Sequence, residues 1–293
     1  MNELDPPPSV IELVKDNPQA DAQWKAWLFN LFKWAQDNMS KDFFFEVDQD
    51  NINGYSSETK FGRNTAVTTT EAQIWPGGAF TYLTAASTVR IAAGGNAADT
   101  AAGTGAQEVH IIGLDADYNI NTDTLVTAGA SASSATTQTY LRVLRAWVGN
   151  VGSGEKNAGN ITIEAVTGGT TQCFISQGQG QSQQLFFTVP AGKTAYIRGG
   201  RFSWIKTSGG GGAAAECKLY GQARLYNTDS NNNYESWRNL FDSFITLNGG
   251  NPTNLIEQST DPIPEKTDIK VTGIVDAGSA DIDGRLHIIL VDN

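Results

Sequence analysis

Two hydrophobic periodicities divide this chain. Near the N-terminus the period is helical: Trp24, Trp27, Leu28, Leu31, Trp34 and Ala35 fall at i, i+3, i+4, i+7, i+10 and i+11. Asn17 and Pro18 suit the N-cap and first position of a helix running to about Asp37. Ser9 and Glu12 have capping-box spacing, which predicts a shorter helix before it, ending near Asp16. Residues 46–65, "EVDQDNINGYSSETKFGRNT", read as a polar connection. Beyond them the period becomes two.

Period two predicts eleven strands, at 87–93, 108–115, 122–128, 139–148, 160–166, 172–176, 184–189, 194–206, 216–226, 267–275 and 285–292. Segment 233–245, "NYESWRNLFDSFI", fits helix or strand. Polar, glycine-rich turns separate the strands, and no long helical pattern lies between them. The sheets are therefore expected to be antiparallel. The predicted fold is mainly β: an antiparallel β-sandwich of jelly-roll type with a short N-terminal helical segment. The expected domains are 1–45, a helical docking or oligomerisation segment; 46–71, a linker; and 72–293, the β-sandwich, as one body or two sub-sandwiches. "TVPAGKTAYI" (188–197) and "PIPEKTDIKV" (262–271) echo each other, as two equivalent sandwich corners would.

The helical stripe is wide. Phe29 and Phe32 broaden it beyond a narrow seam. Burying Trp24, Trp27, Phe32 and Trp34 would remove roughly 200 Å² each from water, worth ~20 kcal/mol in total as an upper bound. Two destinations are open: the chain's own β-domain, or another chain. The girth of the stripe exceeds what one sheet face covers. That makes Trp24, Trp27, Leu28, Leu31, Phe32 and Trp34 the candidate docking or oligomerisation residues. A membrane-surface role is disfavoured, since the polar face carries only Lys25 and Lys33 as cations.

Composition sharpens this. The 293 residues include 31 glycines, 40% hydrophobic and 17% charged residues, which suits short strands and polar turns. A net charge of −11 argues against nucleic-acid binding. The two cysteines, Cys173 and Cys217, sit in strand-like runs as free thiols and form no zinc or disulfide pattern. "MNELDPPPSV" lacks the basic start of a signal peptide, and no run approaches a membrane span, so synthesis in the cytoplasm is expected.

Candidate chemistry is sparse. "AGKT" (191–194) lacks the glycine five positions before Gly192, where Phe187 stands, and so is no phosphate loop. "DADYNIN" (115–121) approaches a calcium loop, but Ile120 and Val126 occupy the glycine and glutamate positions. A polar strand face accounts for it better. His110 and His287 lie within strands, without a nucleophile motif beside them. The expectation is no catalytic residue, no metal and no cofactor, with a hydrolase as the remote alternative.

Several phrases in order, "GYSSETKFGRN" (54–64), "VHIIGLDADYNINTDTLVTAG" (109–129), "TYLRVLRAWV", "NAGNITI", "FTVPAGKTAYI", "PEKTDIKV" and "LHIILVDN", resemble a family of structural proteins of tailed bacteriophages, frequent in marine phages. The resemblance spans about residues 54–293 and implies a β-rich, non-enzymatic virion component, as head decoration, head fibre, or neck or tail fibre. It leaves the tryptophan helix uncovered. The expected partners are other virion proteins and copies of the chain itself, a trimer by analogy with fibres. The alternative is a carbohydrate-binding module that recognises a bacterial surface glycan, with Trp75, Trp147, Trp204 and Trp237 as candidate rings. An exposed Trp in the "WPGG" turn (75–78) is the feature that would favour it.

Overall fold

The structure is a computed structural model, and it describes residues 24–31, 33, 43–208, 216–226, 234–246, 253–256 and 261–293. The chain divides into two compact units, Met1–Ser56 and Ser57–Asn293. In the first, helix α1 is described over 24–31, within the predicted 18–37 helix. The predicted helix at 9–16 lies outside the described residues. A short helix α2, Phe43–Asp48, follows. The Gln49 N–H to Phe45 O (3.1 Å) and Asn51 N–H to Glu46 O (2.9 Å) bonds close its C-terminus.

Among the described residues the chain forms fifteen strands. They are β1 (Tyr55–Val67), β2 (Ala72–Gln73), β3 (Val89–Ile91), β4 (Ala106–Leu114), β5 (Ile120–Val126), β6 (Arg142–Val151), β7 (Ile161–Ala165) and β8 (Thr171–Ile175). Then come β9 (Phe186–Thr188), β10 (Lys193–Ser208), β11 (Glu216–Arg224), β12 (Arg238–Thr246), β13 (Thr253–Ile256), β14 (Asp268–Val275) and β15 (Ser279–Asp292). All eleven predicted strands are present. Segment 233–245 resolves as strand, in β12.

The polar connection expected at 46–65 instead contains most of β1, so the sandwich begins before residue 72. The reason is visible in the side chains. The inward positions of β1 include Lys60 and Gly62, both buried, so the strand carries no apolar alternation. Gly62 has to be glycine: a Cβ there would lie 2.7 Å from the Leu185 backbone nitrogen.

The sheet order reveals the topology. One sheet runs β1-β15-β10-β13; the other runs β12-β11-β14-β2, with β9 also on β14. β2 and β9 pair antiparallel with successive stretches of β14, at Thr272–Gly273 and Asp268–Lys270. They are two halves of one interrupted strand. With those halves joined, first pairs with last, second with seventh, third with sixth and fourth with fifth: one long hairpin rolled into two sheets. This is the predicted jelly roll. Its core takes Ile197, Phe202 and Trp204 from β10, Leu286 and Ile288 from β15, Leu219 from β11 and Val271 from β14.

Everything between the half-strands is an insertion with its own small sandwich, β3-β7-β8 against β5-β4-β6. Alternation along β7 and across residues 108–113 of β4 puts Ile161, Ile163, Val109 and Ile111 into a second core with Val143, Cys173 and Ile175. Leu114, Leu141 and Leu144 of the insertion join the jelly-roll core instead, fusing the two sandwiches.

The echoed segments lie in two of the connections that cross between the jelly-roll sheets, β9 to β10 and β13 to β14. They also touch each other. The Lys266 N–H donates to Val189 O (2.8 Å), and Ala195 bridges Ile263.

Candidate functional site

The candidate docking residues can be placed in part. Trp24, Trp27 and Leu31 of α1 are half-buried, and the two indoles meet edge-on at 5.6 Å. Leu28 and its neighbour Phe29 are 52% and 67% exposed. Phe32 and Trp34 lie outside the described side chains. In α2, Phe43 packs edge-on against Tyr55 at 5.4 Å, while Phe45 stays exposed. The first unit thus presents an apolar surface that its described part does not cover.

The candidate sugar-binding rings separate sharply. Trp204 is buried in the jelly-roll core. Trp75, the "WPGG" tryptophan, is buried too: its indole N–H donates to Gly78 O (2.5 Å), and its ring packs on Phe80 and Phe186. The exposed ring that would favour sugar binding at that turn is therefore not there. Trp237 is half-buried, with the Lys270 ammonium 4.2 Å and the Arg224 guanidinium 4.8 Å from its ring. It lines a cleft of about 580 Å³ together with Glu71, Gln73, Phe80, Tyr82 and Lys270. Trp147 is half-buried beside a shallower cleft of about 420 Å³, with Ile112, Arg145, Gln179 and Gln181. Arg145 donates to Gln181 Oε1 (3.0 Å) along its rim.

Sequence reasoning missed the most connected polar cluster. Asp268, at the start of β14, is fully buried. It accepts hydrogen bonds from Arg142 Nε (2.9 Å), from Arg142 Nη2 (3.0 Å), from Arg224 Nη2 (2.9 Å) and from the Thr188 hydroxyl (2.6 Å). Tyr234 bonds to Arg142 (2.5 Å) and to the Tyr118 hydroxyl (2.6 Å). Burial alone would push the Arg142 pKa down, but the Asp268 carboxylate holds it above the ordinary value. Burial, and next the Asp268 charge, raise the Tyr82 phenol well above its usual range. A cluster of fixed charge state, closed by its own partners, is a structural joint between insertion and jelly roll.

Hydrogen bonds or burial place the remaining candidates within strands and turns. The Asp115 carboxylate caps the β4–β5 hairpin, accepting from the backbone N–H groups of Asp117 and Asn119 (both 2.9 Å). His110 Nδ1 contacts the Thr124 hydroxyl (2.8 Å) across strands, and Glu108 lies 3.5 Å from the other ring nitrogen. His287 Nδ1 meets the Thr59 hydroxyl (3.2 Å). Burial pushes the Cys173 and Cys217 thiols up to about 11 and about 12, so neither is a ready nucleophile. Gly192, in the rejected phosphate loop, turns between β9 and β10 at φ 72°. Among the described residues no cluster of three His, Cys, Asp or Glu could hold a metal, and no helix is long and apolar enough to cross a membrane.

No protein-family model matches the chain, and no curated protein is detectably similar to it. Among solved structures, the infectious bursal disease virus VP2 subviral particle aligns over 83% of this chain and 77% of that one, at 10% identity and a TM-score of 0.18. A score that low does not establish a shared fold, so the jelly-roll assignment rests on strand pairing alone.

Proposed function

We propose that this chain is a non-enzymatic structural component of a tailed-bacteriophage virion, a head decoration, head fibre, or neck or tail fibre protein. It is held to the particle through its N-terminal aromatic helix. The observation that carries the reading is the contrast between the two units. The jelly roll has a filled core of its own, whereas Leu28, Phe29, Phe43 and Phe45 of the first unit remain exposed. Exposed apolar area of this kind marks an interface. Viral capsid domains are among the proteins that use jelly rolls, although a fold alone does not fix a role. The ordered phage-like phrases of residues 54–293 point the same way.

Its partners in this reading are other virion proteins and further copies of itself, a trimer by analogy with fibres. It needs no cofactor, metal or nucleic acid. Deleting residues 1–40 tests the reading: the variant should fold, judged by its β-rich circular dichroism, and should fail to incorporate into particles. Normal incorporation would refute docking through the helix.

The Trp147 cleft favours a second reading, in which the inserted sandwich recognises a bacterial surface glycan. An indole face beside the Gln179, Gln181 and Arg145 side chains offers stacking and hydrogen bonds together. Trp147→Ala should abolish retention on host-cell glycans if this is so.

A further inference from the structure

The outward row of β15 is paired residue by residue, with one exception. Asp281 takes the Arg63 guanidinium (2.9 and 3.1 Å from Nε). Asp283 accepts the Ser203 hydroxyl (2.5 Å), and His287 meets Thr59. Between them stands Arg285, and the residue directly opposite it on β10 is Arg201. Directly opposed side chains on neighbouring antiparallel strands have Cβ atoms roughly 4.5–5.5 Å apart, and like charges there repel. Both guanidiniums are exposed, and among the described residues no carboxylate bonds either one.

The two arginines also sit in a concavity. A groove of about 520 Å³ is lined by Arg201, Arg285, Gln183, Phe61, Ser203 and His287, among others. That volume lies within the range of small-ligand sites. Two guanidiniums side by side present their forks to one oxyanion, which can accept from both. Phe61 and Gln183 add an apolar surface and an amide beside it. Asp281 is ion-paired with Arg63. Asp283, which also lines the groove, accepts only from the neutral Ser203 hydroxyl and keeps its charge, so two guanidiniums face one unpaired carboxylate and the groove keeps a net positive charge.

We propose that this groove binds an oxyanion, the phosphoryl group of a phosphorylated saccharide or inorganic phosphate itself, between Arg201 and Arg285. The bound anion screens a repulsion that the fold otherwise leaves standing. The site lies on the jelly roll and does not depend on the virion reading.

Calorimetric titration of the full chain with inorganic phosphate, glucose 1-phosphate and glucose, in chloride at matched ionic strength, tests this. Phosphate and glucose 1-phosphate should bind and glucose should not. Tighter binding of the sugar phosphate assigns the esterified source, with Phe61 and Gln183 contributing; equal binding assigns the free ion. Arg201→Gln and Arg285→Gln should each weaken binding about tenfold or more, since each removes charged hydrogen bonds. Arg201→Lys, which keeps the charge and loses the fork, should weaken it less. Without ligand, Arg285→Gln should melt at the same temperature as the native chain or higher, and phosphate should raise the melting temperature of the native chain alone. Absent binding, or binding that survives both glutamine variants, would overturn the proposal. So would a ligand-free Arg285→Gln that melts lower, since Arg285 would then have a structural partner.

Discussion

Arg142 of the inserted sandwich lies 2.9 Å from Asp268 of the jelly roll, and Arg224 of the neighbouring strand reaches the same carboxylate, also at 2.9 Å. One buried anion thus holds two cations from two sandwiches. The surplus positive charge is spread over aromatic faces. The Arg224 guanidinium lies 4.1 Å from the Tyr234 ring centroid and 4.4 Å from that of Tyr82.

Removing the shared anion should cost more than removing one cation. Asp268→Ala leaves Arg142 buried without a counter-charge, and breaking a buried pair this way costs about 3–5 kcal/mol. Urea denaturation should show that loss. Arg224→Ala should cost less, because Arg224 is more exposed than Arg142 and Asp268 keeps its bonds to Arg142 and Thr188.

Lys60 gives the chain a pH signature. Its ammonium is buried and donates to Leu144 O across the junction of the two sandwiches. Desolvation lowers its pKa below 10.5, with nearby Glu58 only partly opposing this. The unfolded chain therefore binds more protons at this site, so its contribution is complete above 10.5 and is lost as pH falls through the folded value. Stability should rise with pH on this account. Above about pH 9 the raised thiols of Cys173 and Cys217 act in the opposite sense, because the folded chain holds their protons longer. Comparing denaturation of the native chain with Lys60→Met from pH 7 up to 10.5 isolates the lysine, since the thiols are common to both: the upward slope below 10.5 should be present in the native chain and absent from the variant. An identical slope in both would refute the assignment.

The tryptophans should sort by burial. Trp75→Ala removes a fully buried ring packed on Phe80 and Phe186, and should cost about 3–5 kcal/mol. Trp147→Ala should cost less in the same urea titration, since the ring is only half-buried. If both cost the same, Trp147 belongs to the core and the cleft loses its claim to ligands.

The sequence carried the fold well where strands bury an apolar face. β7 and β11 alternate cleanly, and all eleven strands predicted from period two exist. It concealed β1, whose buried positions hold Lys60 and Gly62. Their fit depends on Leu144 and Leu185, far away in the chain. It also hid the Arg142–Asp268 joint, because residues 126 apart leave no local trace. Tryptophan identity alone did not separate core from surface. Trp75, in a glycine turn, is open to core and surface readings from the sequence; it is buried, and Gly78 supplies the acceptor its indole needs.

Oligomerisation follows from the same apolar surface that motivates docking. Light scattering on purified chain should give more than one copy, and Leu28→Asp with Phe29→Asp should shift the chain towards monomer without unfolding it, since both side chains are exposed. A native chain that is already monomeric would remove self-association from the account.

If the chain is a particle component held through its N-terminal helix, an electron-microscopy map of purified virions should show density for a jelly roll carrying an inserted sandwich at the particle surface, with helix α1 packed against another subunit. Virions that lack this chain, or a map in which α1 packs only on the chain's own β-sandwich, would contradict it.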